Sequence, residues 1–481
     1  MSQSITHYVQ VSVSLAGTGV QPAGFGPIMF QHEHALESAR LAGPFTSAQG
    51  VLDAGHASGS APHVAAQAVF AQQPRVTQLY IGRQDSGDVD AGVAFDAILA
   101  ANPGAWYGAL LDSRDEAEQL AWAAALNAAS FPKIGLLQSN AASLLLGEGP
   151  AYTNTIGGTE DDGDYDLIFT GFGLVSPVTV TIARTAGSPA DNEALAEAQA
   201  LELATQADTG GDLEDILDLD SIDDSVAESV SFKILDGLAS GTITTSQPSG
   251  ATQTVVLDDA DLGSRMFDLG YLRTALLYHP TDTDRVDAAW MSRCLAFNLD
   301  QRKGVWSYKR LNGVEATNLT DAQVTQLRDV NANYFSPAVM SAGNTVQAFT
   351  AQGWVSGGSA GAGRRIDVTT SLDWAKARIE EAFANVLLRE THGVPYTDAG
   401  INRFAAALRG VFTTGLSASH FVAFQVPEGE SDEGLNTPAI IVPRLSETTT
   451  TERETRTLTF RAIAYLGSFI EKVVFDVEIR Q

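Results

Sequence analysis

Trp106-Tyr107-Gly108-Ala109-Leu110-Leu111 is followed by Ser113-Arg114-Asp115-Glu116-Ala117-Glu118-Gln119-Leu120-Ala121-Trp122-Ala123, and then by Ile134-Gly135-Leu136-Leu137. The two apolar runs have the length and continuity of strands buried on both faces. Between them, Ser113 and Glu116 stand at capping-box spacing ahead of an alanine-rich stretch, which predicts a helix. Strand, helix, strand in that order predicts a crossover between parallel strands. Another apolar run, Val76–Gly82, extends this α/β region over residues 28–147.

The character changes after Gly147. Residues 158–236 hold nineteen Asp or Glu against only Arg184 and Lys233, more than half of the net charge of -29. Strand patterns at Val178–Ile182, Ser229–Leu235 and Thr252–Leu257, with a helical stretch at Asn192–Gln206, give this segment a β-rich reading. A shift of that size, bounded by glycines, marks residues 148–262 as an inserted acidic module. The α/β region resumes at 263–364 with a buried strand at Leu272–Pro280 and helices at Asp284–Leu295 and Asp321–Asn331, the second capped by Thr320 and Gln323. Ser356–Gly363 reads as a flexible Gly/Ser/Ala loop running into Arg364-Arg365 and a strand. Within residues 365–456, Leu372, Ala375, Ile379, Ala382, Phe383, Val386 and Leu387 share one helical face, and a second helix is expected over Asp398–Phe412. Strands are expected at Phe421–Val426 and Thr457–Leu466.

Both ends alternate with a period of two. Val9, Val11, Val13 and Leu15 share one face, as do Val473, Phe475, Val477 and Ile479 near the other terminus. A lone strand cannot satisfy its own backbone groups or hide its apolar side, so each end needs a sheet to join. Gly17–Pro27 completes an N-terminal arm and linker over 1–27, residues 457–481 make a C-terminal strand and arm, and Ser446–Arg456 with its threonine run reads as a second hinge. Pattern alone leaves pairing within the same domain and pairing with a neighbour at even odds.

The chain has 481 residues, enough for several cores. With 58 acidic and 29 basic residues its surface repels phosphate backbones, so direct nucleic-acid binding is not expected. One cysteine, Cys294, rules out an intrachain disulfide framework and suits a reducing cytoplasm. No secretory signal is visible, and no apolar run is long enough to insert into a membrane.

Chemistry-bearing motifs are missing. His32-Glu33-His34 spaces its histidines two apart, where a helical zinc site needs four. The acidic runs Glu160–Asp166 and Asp212–Asp224 lack the alternating ligands of a calcium loop and read as solvated loops. No phosphate-binding loop or nucleophile elbow occurs; Gly358–Gly363 does not open a helix. Cys294 reads as a buried helical thiol, and Trp106, Tyr107, Trp122 and Trp374 read as core. The expectation is a non-enzyme with no catalytic, cofactor or metal site.

An ordered set of segments resembles one family. It comprises Leu272–Pro280 before Asp287-Ala288-Ala289-Trp290, then Trp306–Val314, Leu319-Thr320 and Asn331-Ala332-Asn333-Tyr334. Ile366-Asp367-Val368, Leu372-Asp373-Trp374 and Val394–Ile401 follow. The succession resembles the tail sheath proteins of contractile-tailed bacteriophages, in the branch long known only as a domain of unknown function in phage structural proteins. The similarity covers residues 1–147 and 265–481, while the acidic segment lies outside it. The resemblance implies an α/β (α+β sheath-type multidomain) architecture of mixed-sheet core domains, with 148–262 as an outer decoration domain and 365–456 facing the tail tube. It implies stacked hexameric rings of identical copies around the tube, in the virion and assembled in the host cytoplasm, with baseplate and tail terminator proteins as end partners. The sheath contracts to drive the tube through the host envelope for genome ejection. Val9, Val11, Val13, Leu15, Val473, Phe475, Val477 and Ile479 then become intersubunit contacts. Two other readings remain open: a different tail part (tube, baseplate or adhesin), and an α/β enzyme.

Overall fold

The computed structural model describes residues 25–36, 39–145, 151–158, 163–171, 174, 176–184, 192–208, 213, 216–225, 228–234, 241–247, 251–258, 262–339, 345–359, 362–389, 392–422, 439–459 and 461–468. In chain order the first elements are β1 (Ile28–Glu33), β2 (Leu41–Phe45), α1 (Ala48–Asp53), α2 (Ala61–Phe70), β3 (Leu79–Gln84), α3 (Ala91–Ala101), β4 (Gly108–Leu111), α4 (Glu116–Ala128) and β5 (Ile134–Ser139). Then come β6 (Ala151–Gly158), β7 (Gly163–Gly171), β8 (Val178–Arg184), α5 (Asn192–Asp208), β9 (Leu217–Asp223), β10 (Ser229–Ile234), β11 (Gly241–Ser246), β12 (Ala251–Asp258) and α6 (Leu262–Asp268). They are followed by β13 (Thr274–Tyr278), α7 (Val286–Leu295), α8 (Asp321–Asp329), β14 (Asn333–Val339), β15 (Thr345–Ala351), β16 (Trp354–Ser359), β17 (Ala362–Arg365), α9 (Ile366–Arg389) and α10 (Asp398–Ser417). The last are β18 (Phe421–Val422), β19 (Ala439–Ile441), α11 (Thr450–Glu454), β20 (Arg461–Ile463) and β21 (Tyr465–Leu466).

These elements cluster into two units. Unit 1 holds residues 1–140, 270–319 and 331–481; unit 2 holds 141–269 and 320–330, so α8 belongs with unit 2.

Unit 1 is built on an eight-stranded mixed sheet, β15-β14-β13-β5-β4-β1-β3-β2. Its six inner strands run parallel, and β2 and β15 close the edges antiparallel. The predicted crossover is present, with Gly108–Leu110 of β4 in parallel register with Ile134–Leu136 of β5. β4, β5 and β13 are buried along their whole length, which explains their unbroken apolar runs. Helices cover both faces. On β1, Met29 and Gln31 turn toward α3 and α4, where Gln31 accepts from the Trp122 indole and donates to the Ala91 carbonyl. Ile28 and Phe30 turn the other way into the core with Val69, Trp290 and Met291 of α2 and α7. Gly135 admits α4 closely, because a Cβ there would lie 2.6 Å from the Leu126 side chain.

Unit 2 contains two antiparallel sheets, β12-β6-β10-β9 and β11-β7-β8. Tyr152, Leu167, Phe169, Val180, Val230 and Phe232 from these sheets share a core with Ala200 and Leu203 of α5.

Several expectations need correction. The helix after Ser113 is capped by Asp115, which accepts from Glu118 N, so it starts later than the Ser113/Glu116 spacing suggests. The acidic runs are not simple loops: β7 begins at Gly163, where Asp166 accepts from Thr181 across the ladder, and β9 occupies much of Asp212–Asp224. The glycine-rich segment expected to be a loop pairs as the hairpin β16–β17, and the chain then enters α9 at Ile366 with no further strand. Ala375, Ile379, Ala382 and Phe383 of the apolar stripe pack on the core, but burial in the first half of α9 extends beyond that stripe to Asp367, Asp373, Trp374, Ala377 and Glu380. Ion pairs of Asp367 with Lys303 and of Asp373 with Arg273 accommodate the buried carboxylates there. The expected hinge Ser446–Arg456 contains a short helix, α11, with a complete capping box between Thr449 and Glu452.

Candidate functional site

Val9, Val11, Val13 and Leu15 lie outside the described residues, as do Val473, Phe475, Val477 and Ile479. The structure describes the residues that adjoin these two segments in the chain. At the N-terminal side, Phe25 is buried with its ring edge-on to Tyr107 at 4.9 Å, and the Pro27 carbonyl accepts from Tyr107 N and Gly108 N. Residue 28 therefore enters the sheet from a fixed point.

The C-terminal end of the described residues is held more elaborately. Gly467 donates its amide to the His420 carbonyl at 2.8 Å, and its own carbonyl accepts from Lys303 Nζ at 2.6 Å. Lys303 is fully buried and pairs with Asp367, in the first turn of α9, at 2.7 Å. His420 stacks on Trp374 with centroids 4.3 Å apart, and its Nε2 donates to the Leu299 carbonyl. Burial depresses the basicity of this imidazole. A Cβ on Gly467 would lie 2.3 Å from the Ser419 carbonyl oxygen, so the position accepts only glycine.

Near Gly467 stand two small antiparallel ladders. β18 pairs with β21 through Phe421–Leu466 and Val422–Tyr465, and β19 pairs with β20. Each contains two strands among the described residues. An open sheet edge can accept an added strand by backbone pairing.

A second buried network ties α9 to the large sheet. Asp373 receives a bidentate pair from Arg273, both contacts at 2.9 Å, and a hydrogen bond from the Tyr107 hydroxyl at 2.8 Å. Burial pushes the Tyr107 phenol well above its usual value, and the adjacent carboxylate adds to this. Lys133 lies under the same region, donating to the Pro103 and Trp106 carbonyls with its Nζ 4.2 Å from the Trp106 ring. Burial lowers Lys133 to about 7.

In an open parallel sheet, ligands usually bind beyond the carboxyl ends of the strands where the order reverses. Here that place, between β1 and β4, is filled by protein. The buried Arg285 spans it, bonding Asp287, Asp112 and the Leu111 carbonyl, with its guanidinium 4.6 Å over Phe30. His32 Nδ1 lies 2.6 Å from Asp112. His34 stacks on His32 and meets His56 edge-on at 5.0 Å, and burial, then His56, holds it down to about 4. Among the described residues no His, Cys, Asp or Glu group is placed to hold a metal ion. Cys294 is buried, and burial raises its thiol to about 12, far from a reactive thiolate.

No family model matches the chain, and no curated protein matches it. Solved structures do. The cryo-EM structure of the anti-feeding prophage (AFP) helical sheath in its contracted state covers 98% of this chain and 98% of its own, at 11% identity and a TM-score of 0.50. The fold is of the contractile tail sheath type. The 6-fold symmetrised cryo-EM structure of the AFP baseplate covers the same shares at 13% identity and a TM-score of 0.48.

Within this sheath-type fold, the sequence reading missed the residues that anchor the chain's ends. Arg273 was visible as a charge inside the apolar run Leu272–Pro280, a signal that a buried partner was needed. Lys303, Asp367 and Gly467 carried no comparable signal, because their partners come from distant parts of the chain.

Proposed function

We propose that the chain is a structural subunit of a contractile tail sheath. Copies polymerise as stacked hexameric rings around a tail tube, and shortening of the stack drives the tube through the host envelope during genome ejection. The observation that carries this reading is the end-to-end likeness of the fold to a contracted sheath. Strands at the ends of a chain that cannot complete a sheet alone suit pairing with a neighbouring copy. In this reading, residues 9–15 and 473–479 are the arms, residues 365–456 face the tube, and the acidic module 148–262 is an exterior decoration. The partners are other copies, the tube protein, and baseplate and terminator proteins at the ends. Assembly takes place in the host cytoplasm, the mature location is the virion, and no catalysis is assigned.

Each backbone bond of an added strand contributes about 0.5–1.5 kcal/mol net, and each fully buried Val, Leu, Ile or Phe about 1.5–3 kcal/mol. One arm binds modestly, and two arms per copy in a closed ring bind far more strongly through avidity. Negative-stain electron microscopy of the purified full-length chain tests the proposal. Long helical cylinders support it; short hollow tubes or isolated rings point to a different tail part, and persistent monomers reject it.

A further inference from the structure

Four buried polar side chains lie around one small apolar cluster in the interior of unit 2. Asn154 of β6 and Gln253 of β12 face the same side of their sheet, because the antiparallel register sets Gln253 opposite Ile156 and Val255 opposite Asn154. Ile156 packs with Tyr165 of β7 and Ala196 of α5. One turn beyond Ala196, the Gln199 Oε1 accepts from Asn154 Nδ2 at 2.5 Å. Asn154 and Gln199 thus separate this small apolar cluster from the larger one containing Tyr152, Leu203 and Phe232.

The four are shut off from solvent: Asn154, Tyr165 and Gln199 are 0% exposed and Gln253 is 3% exposed. Yet Asn154 Oδ1, the Tyr165 hydroxyl, Gln199 Nε2 and both ends of the Gln253 amide have no hydrogen-bond partner among the described residues. Exchanging N and O in both the Asn154 and Gln199 amides reverses their mutual bond and still leaves one atom of each unpaired. Native interiors do not tolerate such a concentration of unpaired polar atoms, and ordered water is the usual remedy. The unpaired atoms include donors and acceptors and carry no formal charge. That composition suits a small neutral guest able to donate and accept at once.

We propose that unit 2 holds ordered water in this layer, bridging the Tyr165 hydroxyl, the Gln253 amide and the open ends of the Asn154–Gln199 pair. The wetted layer fixes how α5 sits over β6 and β7, since sliding the helix would strand the bridging groups. This inference is independent of the assembly reading.

The sign of one substitution tests it. Tyr165→Phe keeps the ring and removes the hydroxyl. If water is bridged there, hydrogen–deuterium exchange of the full-length chain over residues 151–171 should quicken about ten-fold, because a satisfied group and its water are lost. Gln253→Leu should act in the same direction. Unchanged or slower exchange in both variants overturns the proposal, since deleting a truly unpaired buried group relieves its burial cost. If the variants do not fold, a high-resolution density map of the unaltered protein decides. Density about 2.7–3.2 Å from both the Tyr165 hydroxyl and the Gln253 amide supports the proposal, and a dry layer refutes it.

Discussion

Glu380 and Lys376 lie one turn apart on α9, both buried. Burial pushes Glu380 up to about 7, with Lys376 opposing the rise and Glu381 adding to it. Its folded value exceeds the unfolded one, so the folded state holds the extra proton between about pH 4.5 and 7. Stability is therefore lost as pH climbs through that window. Glu380→Gln should match the parent at pH 4 and be more stable by about 2–3 kcal/mol at pH 8, measured by urea denaturation. Equal stabilities at both pH values would refute the burial argument. Asp373 makes the opposite case: Asp373→Ala strands Arg273 in the interior and should cost about 3–5 kcal/mol. The double variant Arg273→Met with Asp373→Leu should recover most of that loss in the same titration. At this scale the sequence is least informative. Asp373, Lys376 and Glu380 sit in α9 at positions whose charge reads as solvent-facing, and only the distant Arg273, or the packing around them, places them inside.

Elements were legible where local pattern and tertiary role agree. β4, β5 and β13 each carry a continuous apolar run because both faces are covered, and the Thr320–Gln323 capping box of α8 is where the spacing puts it. Legibility failed where a strand depends on its partner. β7 carries acidic residues that a ladder tolerates on an outer face, and the β16–β17 hairpin carries a stretch of glycine and serine, Ser356–Ser359, with little strand preference. The terminal arms belong to this scale too. A chain lacking residues 1–16 should keep the folded body, since the sheet begins at Ile28 behind the anchored Phe25, yet fail to polymerise. Sedimentation velocity distinguishes the outcomes, and polymer of normal size from the truncated chain would remove the N-terminal arm from the account.

Across the whole molecule, the acidic charge and the second core coincide. Unit 2 buries its own aromatic cluster, with Tyr152 stacked on Phe232 and Phe169 beside it, so it does not rely on the large sheet for an interior. Excision of residues 155–255 should therefore spare assembly, and pelleting of intact polymer by ultracentrifugation checks this. Aggregation of the shortened chain would show that unit 2 supports the remainder. The sequence marked this segment by composition, but not the return of α8 to the same unit, because that return is a contact in space between segments far apart in the chain.

The central claim is that strands at both ends of each copy complete sheets in other copies. A helical reconstruction of the assembled protein, at a resolution that traces residues 9–15 and 473–479, tests it most directly. The account predicts both segments hydrogen-bonded along ladders of neighbouring subunits, with Lys303 still gripping Gly467 at the point of exit. Both segments paired within their own chain would contradict it.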